Sequence, residues 1–86
     1  MNTVMMLMAR YDGAPILPVE IICKDFFPHL TREKFLRKVS DGAIKLPLVQ
    51  IEGSQKSAKG VDLRDFATYY DERREAGQRE FDRLHG

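Results

Sequence analysis

Eighty-six residues, 43% apolar and 31% charged, suffice for one small folded core across residues 1–86 and leave no room for a second. That much apolar content argues against a disordered chain. A net charge of +1 rules out a uniformly cationic or anionic surface, and a single cysteine, Cys23, rules out an intramolecular disulfide.

In chain order, residues 3–10 form an apolar run rich in Met, Leu and Ala, residues that favour helix over strand. The run is too short to span a bilayer, and it lacks the cationic start and small-residue cleavage site of a secretory signal. A cytoplasmic protein is therefore expected. Asp12-Gly13 marks a turn, residues 14–17 suit a short strand, and Pro18 suits the first turn of a helix. Apolar residues at 19, 22, 23, 26 and 27 predict that helix, with Cys23 as a small core residue. Pro28 and His29 end it.

Thr31 is a good N-cap for a second helix over residues 31–41, Leu30 is placed to staple its first turn, and Gly42 suits its left-handed end. Only two or three residues separate the two helices, so they must cross sharply, as in a helix-turn-helix. Residues 46–51 read as a strand, which Pro47 pushes towards a sheet edge or a strand start. A polar, glycine-bounded loop over residues 53–60 lets the chain turn back, with Val61 pairing on the return. Asp62 then caps a long helix over residues 63–84. Leu63, Phe66, Ala67 and Tyr70 are expected to pack on the domain. The remaining stripe, broken by Arg74 and Gly77, carries Phe81 and Leu84 outward or against another subunit. The fold expected is α+β, mostly α: a small winged helix-turn-helix with a long C-terminal helix.

Charge singles out the middle of this layout. Residues 31–60 hold seven bases against three acids, a local charge of +4, whereas residues 1–30 carry −1 and residues 61–86 carry −2. A basic helix followed by a basic loop is what a winged helix-turn-helix presents to phosphates and a groove. At 100° per residue, Phe35, Leu36 and Val39 share the inner side of the second helix. The outer side holds Glu33, Lys34, Arg37, Ser40 and Asp41, with Lys38 on the flank. Arg37 is the first choice for reading bases and Lys34 the second, because arginine offers two parallel hydrogen bonds to guanine and lysine does so less rigidly. Arg32, in the first turn and nearer the core, suits a phosphate, and Ser40 suits either purpose. In the loop, Ser54, Gln55, Lys56, Ser57 and Lys59 are all donors, fit to lie along phosphates or enter a minor groove.

Catalysis finds no support. His29 and His85 lie far apart in sequence, the glycine loop lacks phosphate-binding spacing, and one Cys with two His fills no structural metal site unless carboxylates help. Acids and arginines interleaved along the last helix suit ion pairs on a solvated face. No cofactor is expected. Double-stranded DNA is the expected partner, bound by a homodimer or higher assembly, since so small a core gains from pairing. Two other readings stay open: an excisionase-like protein that bends DNA, and an adaptor that docks a host protein through its apolar N-terminus and last helix.

Several short strings carry a resemblance. Leu17-Pro18 precedes the first core helix, and the second helix begins at Thr31 and ends at Asp41-Gly42. Leu46-Pro47-Leu48-Val49 comes next, then Ser54-Gln55-Lys56-Ser57, then a helix with Val61, Leu63, Asp65, Ala67 and Tyr69 followed by Asp71-Glu72-Arg73-Arg74. Together with Met1-Asn2-Thr3 and Met6-Leu7-Met8-Ala9, these resemble the PrtN family of pyocin activator proteins over roughly residues 1–75. The layout is also similar to the AlpA and excisionase winged helices of MerR type. The resemblance implies a sequence-specific DNA-binding activator of phage-related genes; in the name-giving members these are bacteriocin genes under damage control. It implies contact with RNA polymerase and carries the family motif onto Lys56 and its neighbours. The tail after Ala76 departs from the pattern.

Overall fold

The structure, a computed structural model, describes residues 2–53 and 58–86. Its elements run α1 (Thr3–Arg10), β1 (Ile16–Pro18), α2 (Val19–Phe26), α3 (Arg32–Ser40), β2 (Val49–Gln50), β3 (Lys59–Asp62) and α4 (Leu63–His85). This is the expected small α+β layout, with a three-stranded antiparallel sheet and a long last helix.

The helix starts follow from their caps. The Asn2 side chain accepts from the Val4 and Met5 amides at 2.8 and 3.3 Å, satisfying donors that the first turn of α1 leaves unpaired. Leu7 carries the buried side of α1, with Val4 and Tyr11 packed beside it. Pro18 ends β1 and holds the N-cap position of α2, so strand passes directly into helix. Val19, Ile22 and Cys23 form the inner stripe of α2. The Cys23 thiol faces the Leu30 carbonyl at 3.6 Å, and burial, with Glu20 and Glu33 nearby, raises its pKa. That side chain behaves as a small core residue.

Residues 27–31 join α2 to α3, slightly more than the two or three residues expected, because one residue at each end serves as a cap. The Phe27 amide closes α2 on the Cys23 carbonyl, and Thr31 Oγ1 accepts from the Lys34 amide at 3.2 Å to open α3. Phe35 is fully buried, with Leu36 and Val39 packed against the same core. Gly42 takes φ +81°, and the Ile44 amide returns to the Lys38 carbonyl at 3.0 Å.

The aliphatic run 46–51 is the main departure. Only Val49 and Gln50 pair as β2, although Leu46 is buried and Leu48 half-buried. The side chains are drawn in by the core, but Pro47 has no amide to give a ladder and the pairing starts after it. β3 is the central strand. It pairs with β1 (Leu17 opposite Val61) and with β2 (Gln50 opposite Lys59). Gly60 lies where β1 crosses most closely: a Cβ there would stand 2.6 Å from Ile16 Cγ2 and 3.1 Å from the Leu17 carbonyl oxygen.

Asp62 ends β3 and caps α4 by accepting from the Arg64 amide at 2.8 Å, while the Leu63 amide donates to the Pro15 carbonyl. Leu63, Phe66 and Ala67 are buried. Here one residue differs from expectation. Tyr69 packs against Phe27 and Phe66, with ring centroids at 6.1 and 6.0 Å, whereas Tyr70 stays exposed. α4 packs along α1 and β3, and its Phe66 and Tyr69 side meets Phe26 and Phe27 at the end of α2.

Gly60→Ala should destabilise the fold by about 1–3 kcal/mol, the usual cost of overpacking, read as a lower urea midpoint with an unchanged m-value. Gly53→Ala, which meets nothing within 4 Å, is the control and should leave the midpoint in place.

Candidate nucleic-acid interface

α3 carries the candidate surface. Thr31 fixes its start and Phe35 its rotation, so Glu33, Lys34, Arg37, Ser40 and Asp41 all lie exposed on the side away from the core. Lys34 and Arg37 stand three residues apart, hence as neighbours on one helix face. Neither joins an ion pair among the described residues, where the pairs are Arg10–Asp25, Arg32–Glu20, Arg64–Asp62 and Arg83–Glu80. Their guanidinium and ammonium donors therefore face solvent unpartnered, ready for an anionic or base-edge acceptor.

The other sequence-predicted residues are placed less uniformly. Arg32 Nε lies 3.3 Å from Glu20 on α2, an exposed pair of small energetic weight that a phosphate can displace. Lys38, on the flank, turns towards a cleft of about 830 Å³ between the segment after α3 and the middle of α4. Lys59 is half-buried in β3, opposite Gln50. Ser54, Gln55, Lys56 and Ser57 lie outside the described residues. The structure thus brings together Lys34, Arg37 and Ser40, and sets Arg32 and Lys38 on opposite flanks of that face.

The cleft gathers cations that sequence reasoning did not place in the site. Lys45 and Lys38 line one wall, and Arg73 and Arg79 line the other, the α4 wall, together with Glu72 and Glu75. Lys45 counts within the basic window, but Arg73 and Arg79 belong to an acidic segment. Only the path of α4 across the domain sets them beside α3, and nothing in local sequence encodes that path.

Two partly buried polar junctions hold the scaffold behind the surface. Tyr11 donates to Asp25 at 2.6 Å; burial and that bond push the phenol up to about 12. Asp62 takes two bonds from the Arg64 guanidinium and one from its amide, at 3.0, 2.7 and 2.8 Å, and these hold its carboxyl below the usual range. Among the described residues, no group of three or more His, Cys, Asp or Glu is placed to hold a metal ion. No helix among them is long and apolar enough to cross a membrane.

Among known proteins, the family model described as pyocin activator protein PrtN matches residues 3–77. That span covers every element but the last turns of α4. No curated protein and no solved structure matches the chain.

Asp62 supplies a test of the scaffold. A lowered folded-state pKa means its ionised form contributes stability above the ordinary carboxylate value of 3.8, a contribution that fades as the pH falls through the folded value. Asp62→Ala should therefore cost about 1–2 kcal/mol at pH 7, mostly the lost N-cap. The gap from the parent should narrow below pH 3.8, as read by urea unfolding across pH.

Proposed function

This chain belongs to the pyocin activator family PrtN, and on that premise we propose that it is a sequence-specific DNA-binding transcriptional activator of phage- or bacteriocin-related genes. It acts in the cytoplasm on double-stranded DNA, as a homodimer or higher assembly, touches RNA polymerase, and catalyses no reaction. The family supports activation of pyocin genes. The observation that carries DNA binding is the solvent face of α3, where Lys34 and Arg37 stand side by side without an ion-pair partner among the described residues.

The assignment of roles follows from geometry and chemistry. α3 enters the major groove, where Arg37 donates to guanine O6 and N7 and Lys34 reads an adjacent acceptor. Asp41 and Glu33, on the same face, repel phosphates and leave cytosine amino groups as their favourable contacts, so they sharpen selection as well as weaken non-specific grip. Arg32 exchanges Glu20 for a backbone phosphate. The β2–β3 hairpin serves as the wing, with Lys59 at its base and Lys56 supplied by its loop. Lys38 lies on the flank nearest α4 and takes the opposite strand's backbone.

Selection of bound sites from random duplex DNA supplies the probe. Against the selected site, Arg37→Ala should cost about 1–3 kcal/mol and relax the preference at one or two base pairs. Lys56→Ala should weaken selected and random duplex alike and reduce the log–log salt slope by about 0.9. Full site preference retained by Arg37→Ala in a gel shift contradicts the groove assignment.

A further inference from the structure

The side of α4 that packs on the domain does not end where the domain ends. Leu63, Phe66 and Ala67 are buried, and the same helical face continues through Tyr70, Arg74, Gly77, Phe81 and Leu84, stepping by four and three residues. Beyond Ala67, where α1 still lies alongside through the Thr3–Asp71 hydrogen bond, this face opens among the described residues: Tyr70 is 39% exposed, Phe81 57% and Leu84 61%. An apolar seam on a projecting helix gains stability only by burial against something else.

The charges beside the seam say what fits. In a parallel, in-register pair, each layer meets its own copy, so Arg74 would face Arg74 inside the seam. Two unpaired guanidinium groups would then be desolvated against each other, which is strongly unfavourable. In an antiparallel pair, layers of one kind meet layers of the other. Setting Tyr70 against Phe81 of a second copy then sets Arg74 against Gly77, twice each by symmetry. The arrangement stacks two aromatic pairs and gives each arginine the space left by a residue without a side chain. The same register brings Arg73 beside Glu80 across the pair, again twice. Glu80 now holds Arg83 one turn away in an exposed pair, which contributes little and exchanges readily. Asp82, Glu75, Glu72 and Arg79 stay outside the seam. Asp71 and Gln78, which flank it, now bond Thr3 and Asp82.

We propose that the distal half of α4 is the homodimer interface, an antiparallel pairing of two copies in which Phe81 of one seats on Tyr70 of the other and Arg73 pairs with Glu80. This rests on the reading that the protein assembles with itself, and supplies the surface and orientation that reading lacks. An isologous pair relates its two α3 helices by a two-fold axis.

The test uses the full chain and three sets of variants. The parent should sediment as a dimer at ~100 µM, and Phe81→Glu as a monomer with unchanged helical circular dichroism. Arg73→Glu and Glu80→Arg should each weaken dimerisation by about tenfold, and the double exchange should restore it. In a Cys23→Ala background, Arg73→Cys mixed with Glu80→Cys should cross-link under mild oxidation, while Leu84→Cys alone should not link to itself. A monomer at every concentration overturns the assembly reading and this inference together. A dimer in which Leu84→Cys self-links, or in which the double charge exchange fails to restore pairing, leaves assembly standing and overturns this interface.

Discussion

Four residues of β3 govern the arrangement of everything around them. Val61 is fully buried between β1 and the rest of the core, Gly60 lets the backbone of β1 approach to contact distance, and Asp62 turns the strand directly into α4. β1 runs without a break into α2, and β2 forms the outer strand of the hairpin. Fixing β3 therefore fixes the direction in which α2 leaves the sheet, the base of the wing and the axis of α4. The α3 surface depends on this at one remove, since Phe35 is seated against Phe27, with ring centroids 5.0 Å apart. Phe27 in turn meets Tyr69 on α4. Rotation of α3, and with it the direction of Lys34 and Arg37, is set by packing on the opposite side of the helix.

Where sequence reading succeeded, the signal was local and physical. Thr31 and Asp62 are short polar side chains that accept from the first free amides, and α3 and α4 begin just after them. Phe35, Leu36 and Val39 cannot all be solvated, so the outward set on α3 follows from the sequence alone. Where reading fell short, distant parts of the chain decided. The run 46–51 announces burial, and burial is what Leu46 finds, but strand pairing also needs amides in register and Pro47 supplies none. Tyr69 and Tyr70 are equally aromatic and lie 100° apart; only the position of Phe27 and Phe66 selects the first. The pairing of Arg32 with Glu20, twelve residues earlier, needs the α2–α3 crossing and leaves no local trace.

Charge has the same division. The +4 window predicts that cations gather near α3, and Arg32, Lys34, Arg37 and Lys38 all lie exposed on it, beside Glu33 and Asp41. It does not predict that Arg73 and Arg79, in a segment of net negative charge, stand across a cleft from Lys38 and Lys45. Likewise, the broken heptad of α4 looks like a defect along one helix. Taken as half of a symmetric pair, Arg74 and Gly77 become complementary, and the two breaks account for each other. Two α3 helices related by a two-fold axis would read an inverted repeat, with spacing set by α4.

The central claim is that the exposed side of α3 is the surface that meets DNA. Amide and arginine side-chain NMR shifts, followed while a selected duplex is added to the labelled protein, test it most directly. The account predicts the largest changes at Lys34, Arg37 and Ser40, with the hairpin at 53–60 next and the outer side of α1 unmoved. Changes concentrated on Met5, Met6 and Met8, with Arg37 unaffected, would contradict it.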